Sequence, residues 1–117
     1  MNCLDLAAIG LHVASLHSRA GYNDVNPGVY LESQCGIVVG VYDNSYRKAS
    51  VQIAWRGEPD KLPLFIEAGA VTGYPGHDVE VYAMGGVRLG PLRIGAVPHV
   101  PGLNRTTMVH AMVQFRL

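Results

Sequence analysis

Charge and cysteine are both scarce in this chain. Charged residues make up 15% of its 117 positions, and nine Lys and Arg balance nine Asp and Glu to a formal net charge of zero. A broad phosphate-binding surface needs a clustered excess of Lys and Arg, so nucleic acid is not an expected partner. The zero net charge argues equally against a strongly acidic mimic of nucleic acid. There are only two cysteines, Cys3 and Cys35, and they form neither a CxxC pair nor a zinc pattern. They are expected as two thiols rather than a disulfide, although a bridge is geometrically open if their strands pair. No glycine-rich phosphate loop joins a strand to a helix, and the five histidines show neither HxxxH nor HExxH spacing. No cofactor or metal is therefore expected.

Long apolar runs are missing too. None approaches the length of a transmembrane helix. The opening MNCLDLAAIGLHVASLH lacks a basic n-region, carries Asp5 early and has no small-residue cleavage site, so it does not read as a signal peptide. The expected location is accordingly the cytoplasm of the cell that makes the protein, with the outer membrane as the alternative.

What the sequence does have is apolar content and glycine: 49% hydrophobic residues and 14 glycines spread among them. Low charge with high apolar content argues for a folded core. A single domain spanning residues 1–117 is the natural reading of this length.

The main signal is period-two alternation, which predicts strands. The first run, Leu6 to His17, is rich in Ala and Leu and could instead be helical. The other runs are Val29 to Glu32, Gly36 to Tyr42, Lys48 to Arg56, Leu64 to Thr72, Val79 to Leu89, Leu92 to Val97 and Met108 to Leu117. Turn formers lie between them: His17 to Gly28, Asp43-Asn44-Ser45, Gly57 to Pro63, Tyr74 to Asp78, Gly90-Pro91 and Pro101 to Arg105. Asn26-Pro27-Gly28 and Tyr74-Pro75-Gly76 read as tight turns, and Gly85-Gly86 as a bulge or bend. About eight short strands with no convincing helix predict an all-β, antiparallel up-and-down barrel, closed because closure removes strand edges.

Alternation alone does not say which face is inside. A soluble barrel turns its apolar face inward and leaves Gln52, Glu67, Glu80, Arg93 and Arg116 in water. A membrane barrel does the reverse, with Trp55 and the tyrosines available for an interfacial girdle. The absent export signal and the shortness of several apolar runs favour the soluble arrangement.

Several short pieces, in order, resemble the lipid A palmitoyltransferase family of outer-membrane barrels and its small relatives in bacteria and phages. They are His17, Tyr22-Asn23 with Asn26-Pro27-Gly28, Asn44-Ser45-Tyr46 followed by Trp55, Val97-Pro98 with Pro101-Gly102, and the terminal Met112 to Leu117. The likeness runs from about Leu11 to the end. It implies an eight-stranded barrel that moves a palmitoyl chain from phospholipid to lipid A, using a His and an Asp-Ser pair. His17 stands at the family's His and Ser45 at its Ser. Asn44 occupies the Asp position, and an amide does not stabilise an imidazolium as a carboxylate does.

With that catalytic set incomplete, the leading expectation is a non-enzymatic binding protein of phage or prophage type, such as a counter-defence inhibitor. Such a protein would engage a host protein or a small ligand through its loops or barrel mouth. Arg19, Tyr22, Asn23, Tyr46, Arg47, Tyr74, His77 and Arg105 are the candidate binding residues, since Tyr and Arg are common interface anchors. The alternatives are a membrane acyltransferase using His17 and Ser45, and a homo-oligomeric structural subunit pairing through an exposed edge strand, Val29 to Glu32 or the last one.

Overall fold

The computed structural model describes residues 2–17, 25–43, 48–73, 79–98 and 108–117. All regular structure in these residues is β-strand. The strands are β1 (Leu6–His17), β2 (Val25–Ser33), β3 (Ile37–Asp43), β4 (Ala49–Gly57), β5 (Leu64–Val71), β6 (Glu80–Leu89), β7 (Leu92–Val97) and β8 (Met108–Arg116). Each pairs antiparallel with its sequence neighbour, and β8 returns to β1, giving a closed barrel in up-and-down order. The fold expected from periodicity is thus the fold observed. The Leu6–His17 segment is a strand despite its helix-forming composition, because it closes the barrel and pairs on both sides.

Connectivity gives the barrel two different rims. One, here the lower rim, gathers both chain ends and the connections 34–36, 58–63 and 90–91. Gly36 (φ 89°) and Gly90 (φ 61°) supply the left-handed backbone that two of these tight turns need. The upper rim is formed by the ends of β1, β3, β5 and β7 and the starts of β2, β4, β6 and β8. Cys3 and Cys35 form a disulfide at the lower rim, correcting the expectation of two thiols. The Cys35 amide also donates to the Cys3 carbonyl at 3.0 Å, so the N-terminal turn and the β2–β3 turn are held together twice.

The polarity of the two faces overturns the expected orientation. Gln52, Glu67 and Arg93 are buried in the barrel, together with His12, Ser15, Asn26, Glu32, Ser50, Arg56, His110 and Gln114. Leu11, Val29, Leu31, Val39, Val41, Val51, Ile53, Ile66, Val81, Leu89, Val109 and Phe115 are exposed on the outside. Only Arg116, of the polar residues expected in water, is exposed, while Glu80 is half-buried. The interior is not wholly polar. Tyr30, Val38, Ala54, Phe65, Met84 and Met112 form a compact cluster within it.

Three local readings change as well. Asn26-Pro27-Gly28 is not a turn but the first part of β2, which begins four residues earlier than expected. Gly85-Gly86 carries no bulge: Gly85 pairs with Ile66 and Gly86 with Phe65 in unbroken register. The irregularities are instead in β1: between His12 and Ala14 in its pairing with both β2 and β8, and between Leu6 and Ala8 in its pairing with β2. Nor is there an exposed edge strand among the described residues, since Val29 to Glu32 lies in a strand paired on both sides and β8 is paired with β7 and β1.

Candidate functional site: the polar column inside the barrel

The β1 bulge decides which side chains meet in the upper half of the interior. Strict alternation puts His12 and Ser15 on opposite faces. The extra residue at the bulge shifts the phase, so both point inward, at 5% and 3% exposure. There they meet His110 of β8. Ser15 Oγ lies 2.8 Å from His110 Nδ1, and His110 Nε2 lies 2.9 Å from His12 Nδ1. His12 Nε2 then contacts Gln52 Oε1, Gln52 Nε2 donates to the Tyr82 hydroxyl at 3.0 Å, and Tyr82 donates to Glu67 Oε2.

These contacts have one self-consistent direction. Glu67 as a carboxylate only accepts, so Tyr82 donates its hydroxyl hydrogen and accepts from the Gln52 amide. Gln52 Oε1 then accepts from His12, which places the His12 proton on Nε2 and makes its Nδ1 an acceptor. His110 donates from Nε2 and accepts the Ser15 hydroxyl at Nδ1. Every donor points down the column toward Glu67, with both imidazoles neutral. Gln52 also breaks the column as a proton route, because an amide can relay a proton only by leaving its stable tautomer. The column therefore orders side chains rather than conducting protons.

The lower half is built around Arg56 of β4. Its Nε donates to Glu67 Oε1 at 2.8 Å, and its Nη2 is 2.6 Å from the same oxygen. Nη1 donates to Glu32 at 3.0 Å, to the Tyr30 hydroxyl at 3.2 Å and to Gln114 at 2.7 Å. The guanidinium lies 4.8 Å from the Tyr30 ring centroid, a cation–π distance. One side chain thus ties β4 to β2, β5 and β8 and bars the interior at that level. A second crossbar lies nearer the lower rim, where Arg93 Nε donates to Glu58 at 2.9 Å and Arg88 donates to the carbonyls of Pro59 and Leu62.

In chemical terms, Ser15 and His110 are close enough to be a nucleophile and its base. Both are almost fully enclosed, however, at 3% and 6% exposure, and hydrogen bonds tie each to the column. Among the described residues no three His, Cys, Asp or Glu side chains cluster to hold a metal ion. The arrangement reads as a plug whose side chains are largely paired with one another.

None of the candidate site residues named from sequence has a side chain among the described residues. His17 is in β1, where its backbone pairs with Met108, but its side chain lies outside the described residues. Arg19, Tyr22, Asn23, Ser45, Tyr46, Arg47, Tyr74, His77 and Arg105 also lie outside them. Tyr30 and Tyr82 turn into the column rather than joining a girdle; Trp55 and Phe115 are exposed near the lower rim. The column had one signal in the sequence: polar residues recurring on a single strand face, as in Ser50-x-Gln52-x-Ala54-x-Arg56 and His110-x-Met112-x-Gln114. No protein-family model matches the chain and no curated protein matches it, which leaves the barrel's own geometry as the guide to what it does.

Proposed function

We propose that this chain is an integral membrane β-barrel with a closed interior, which serves as a lipid-embedded scaffold for binding at its upper rim. The observation that carries the reading is the inverted polarity: an apolar belt faces outward on the barrel wall while charged and amide side chains pair within. Soluble monomers rarely expose a contiguous apolar patch of more than a few hundred Å², whereas a lipid-facing wall with a polar interior is the pattern of transmembrane barrels. Strand length agrees for β1 (12 residues), β2, β4 and β8 (9 each) and β6 (10); about 9–11 tilted residues cross a bilayer. The Cys3–Cys35 disulfide supports an oxidising compartment, hence an outer rather than a cytoplasmic location.

The binding reading follows from the plug. With Arg56 barring the lumen and Ser15 enclosed, the upper rim is the part left to meet a partner. A host protein or small ligand is the partner class, and loops set on a rigid barrel are where such scaffolds carry recognition. The test is behaviour without detergent. The purified chain should require detergent or lipid to stay folded, float with vesicles and resist extraction by alkaline carbonate. A monodisperse, folded chain in plain buffer would end the membrane reading.

A second reading, lipid acyl transfer, is favoured by one observation. The upper end of β1, at His17, and the upper end of β3, at Asp43, belong to the same rim of the barrel, and the residues that resemble the transferase pair are His17 and Ser45. Here Ser45→Ala should abolish transfer of a labelled acyl chain between lipids; undiminished transfer would dismiss the role.

A further inference from the structure

One feature of the outer wall departs from the otherwise bulky apolar belt. Across β4, β5, β6 and the end of β7, the wall sinks into a groove of about 350 Å³. Its floor is made by Ala68, Ala83 and Gly85, and its sides by Trp55, Ile66 and Pro98. Register explains the shape: Trp55 pairs with Ala68, Ala68 with Ala83, and Ile66 with Gly85. Ala68, Ala83 and Gly85 therefore present methyl groups or nothing beside the indole of Trp55 on β4 and the branched chain of Ile66 on β5 itself. The polar residue in the lining, Glu67, has its side chain turned into the barrel and bound to Arg56.

Gly85 shows that the groove is not forced by packing. Other strand glycines are needed for space: a Cβ at Gly10 would overlap the Tyr30 ring, at Gly86 the Ile94 carbonyl, and at Gly95 the Met84 side chain. A Cβ at Gly85 would meet nothing within 4 Å, and its φ is not in the left-handed region. Glycine within a strand weakens it. At this position neither neighbours nor backbone require it, and what its missing side chain does is keep the groove open.

We propose that this groove is a binding site for a single acyl chain of a membrane lipid. The inference rests on the membrane reading above. The groove is open and lined by apolar side chains, and its volume of about 350 Å³ leaves room for a segment of hydrocarbon chain. A second copy of the barrel does not suit it. A stable protein interface buries roughly 800 Å² on each partner, far more than this slot offers, and a convex barrel wall does not enter a concave one. The groove is continuous with the outward apolar belt, so hydrocarbon is also what the proposed setting brings to it.

Trp55 is the chain's one tryptophan and forms a wall of the groove, so its fluorescence reports occupancy. The experiment reconstitutes the full chain in phosphatidylcholine vesicles and adds stearic acid brominated along its chain, then competes with unbrominated stearic acid. Brominated phosphatidylcholine is the control for insertion. The expected result is saturable quenching of Trp55 that the plain fatty acid reverses, and loss of that saturable component in Gly85→Leu. The variant should fold, which is checked by retained heat-modifiable mobility on gels, because the added side chain enters open space. Quenching by brominated phosphatidylcholine together with fatty-acid quenching that is unsaturable and unchanged in Gly85→Leu would overturn the site and leave the membrane reading standing. No quenching by either brominated lipid would overturn both.

Discussion

The two ends of the barrel interior are held by different physics. Toward the lower rim, full charges face each other: Arg56 with Glu67 and Glu32, and Arg93 with Glu58. Toward the upper rim, neutral groups pass hydrogen bonds along a line from Ser15 through His110 and His12 to Gln52. The lower rim also carries the disulfide, both chain ends and the short turns. A buried charge left without its partner is far costlier than a buried neutral group left without one. The lower half should therefore be the rigid part of the molecule, and the upper half the part that tolerates change.

The strongest challenge to this contrast is removal of Arg56. Arg56→Ala leaves Glu67 and Glu32 buried without their cation and should cost about 3–5 kcal/mol, read as a shift in the urea midpoint for unfolding in lipid vesicles followed by Trp55 fluorescence. Combining Arg56→Met with Glu67→Leu should recover most of that loss, since a well-packed apolar pair often equals a buried ion pair. If Arg56→Ala unfolds at the wild-type midpoint, the lower half owes its stability to something other than charge pairing.

Breaking the disulfide is next in size. Cys3→Ser should cost about 2–4 kcal/mol, and reductant should produce the same shift in the wild type but none in the variant. A reductant effect that persists in Cys3→Ser would place the sensitivity elsewhere.

The upper half should respond less. His110→Ala removes the partner of both Ser15 and His12 and should cost about 1–3 kcal/mol, the range for a buried polar group left unsatisfied. Ser15→Ala, which removes only the last donor in the line, should cost about 1 kcal/mol or less. A penalty for His110→Ala that matches Arg56→Ala would erase the distinction between the halves. A double-mutant cycle sharpens it: coupling between Arg56 and Glu67 should exceed coupling between His12 and His110.

How much of this was readable beforehand differs between fold and site. Eight runs of alternation gave the strands to within a few residues in most cases, because a period of two is a local property. The β2 boundary was misplaced because Asn26-Pro27-Gly28 has turn composition. In the barrel Pro27 is exposed in β2, and the lack of a side chain at Gly28 lets the chain pass close to Val41 and Tyr42. The column was only half legible. Gln52 and Arg56, or His110 and Gln114, visibly share a face, but Ser15 joins His12 only through the bulge in β1, and no residue type announces that bulge. Gly85-Gly86 looked like the better candidate, yet one glycine makes room for neighbouring strands and the other opens the wall.

The amino-acid order by itself determined that this chain would form short antiparallel strands with two chemically distinct faces, since alternation and turn residues act over a few positions along the chain. Which face closed upon itself was decided only by the tertiary structure. Arg56 finds its acceptors on three other strands, and Cys3 reaches Cys35 only once β1 and β2 lie side by side. Such partners are distant in sequence, and their pairing energy exists only after the barrel has brought them together.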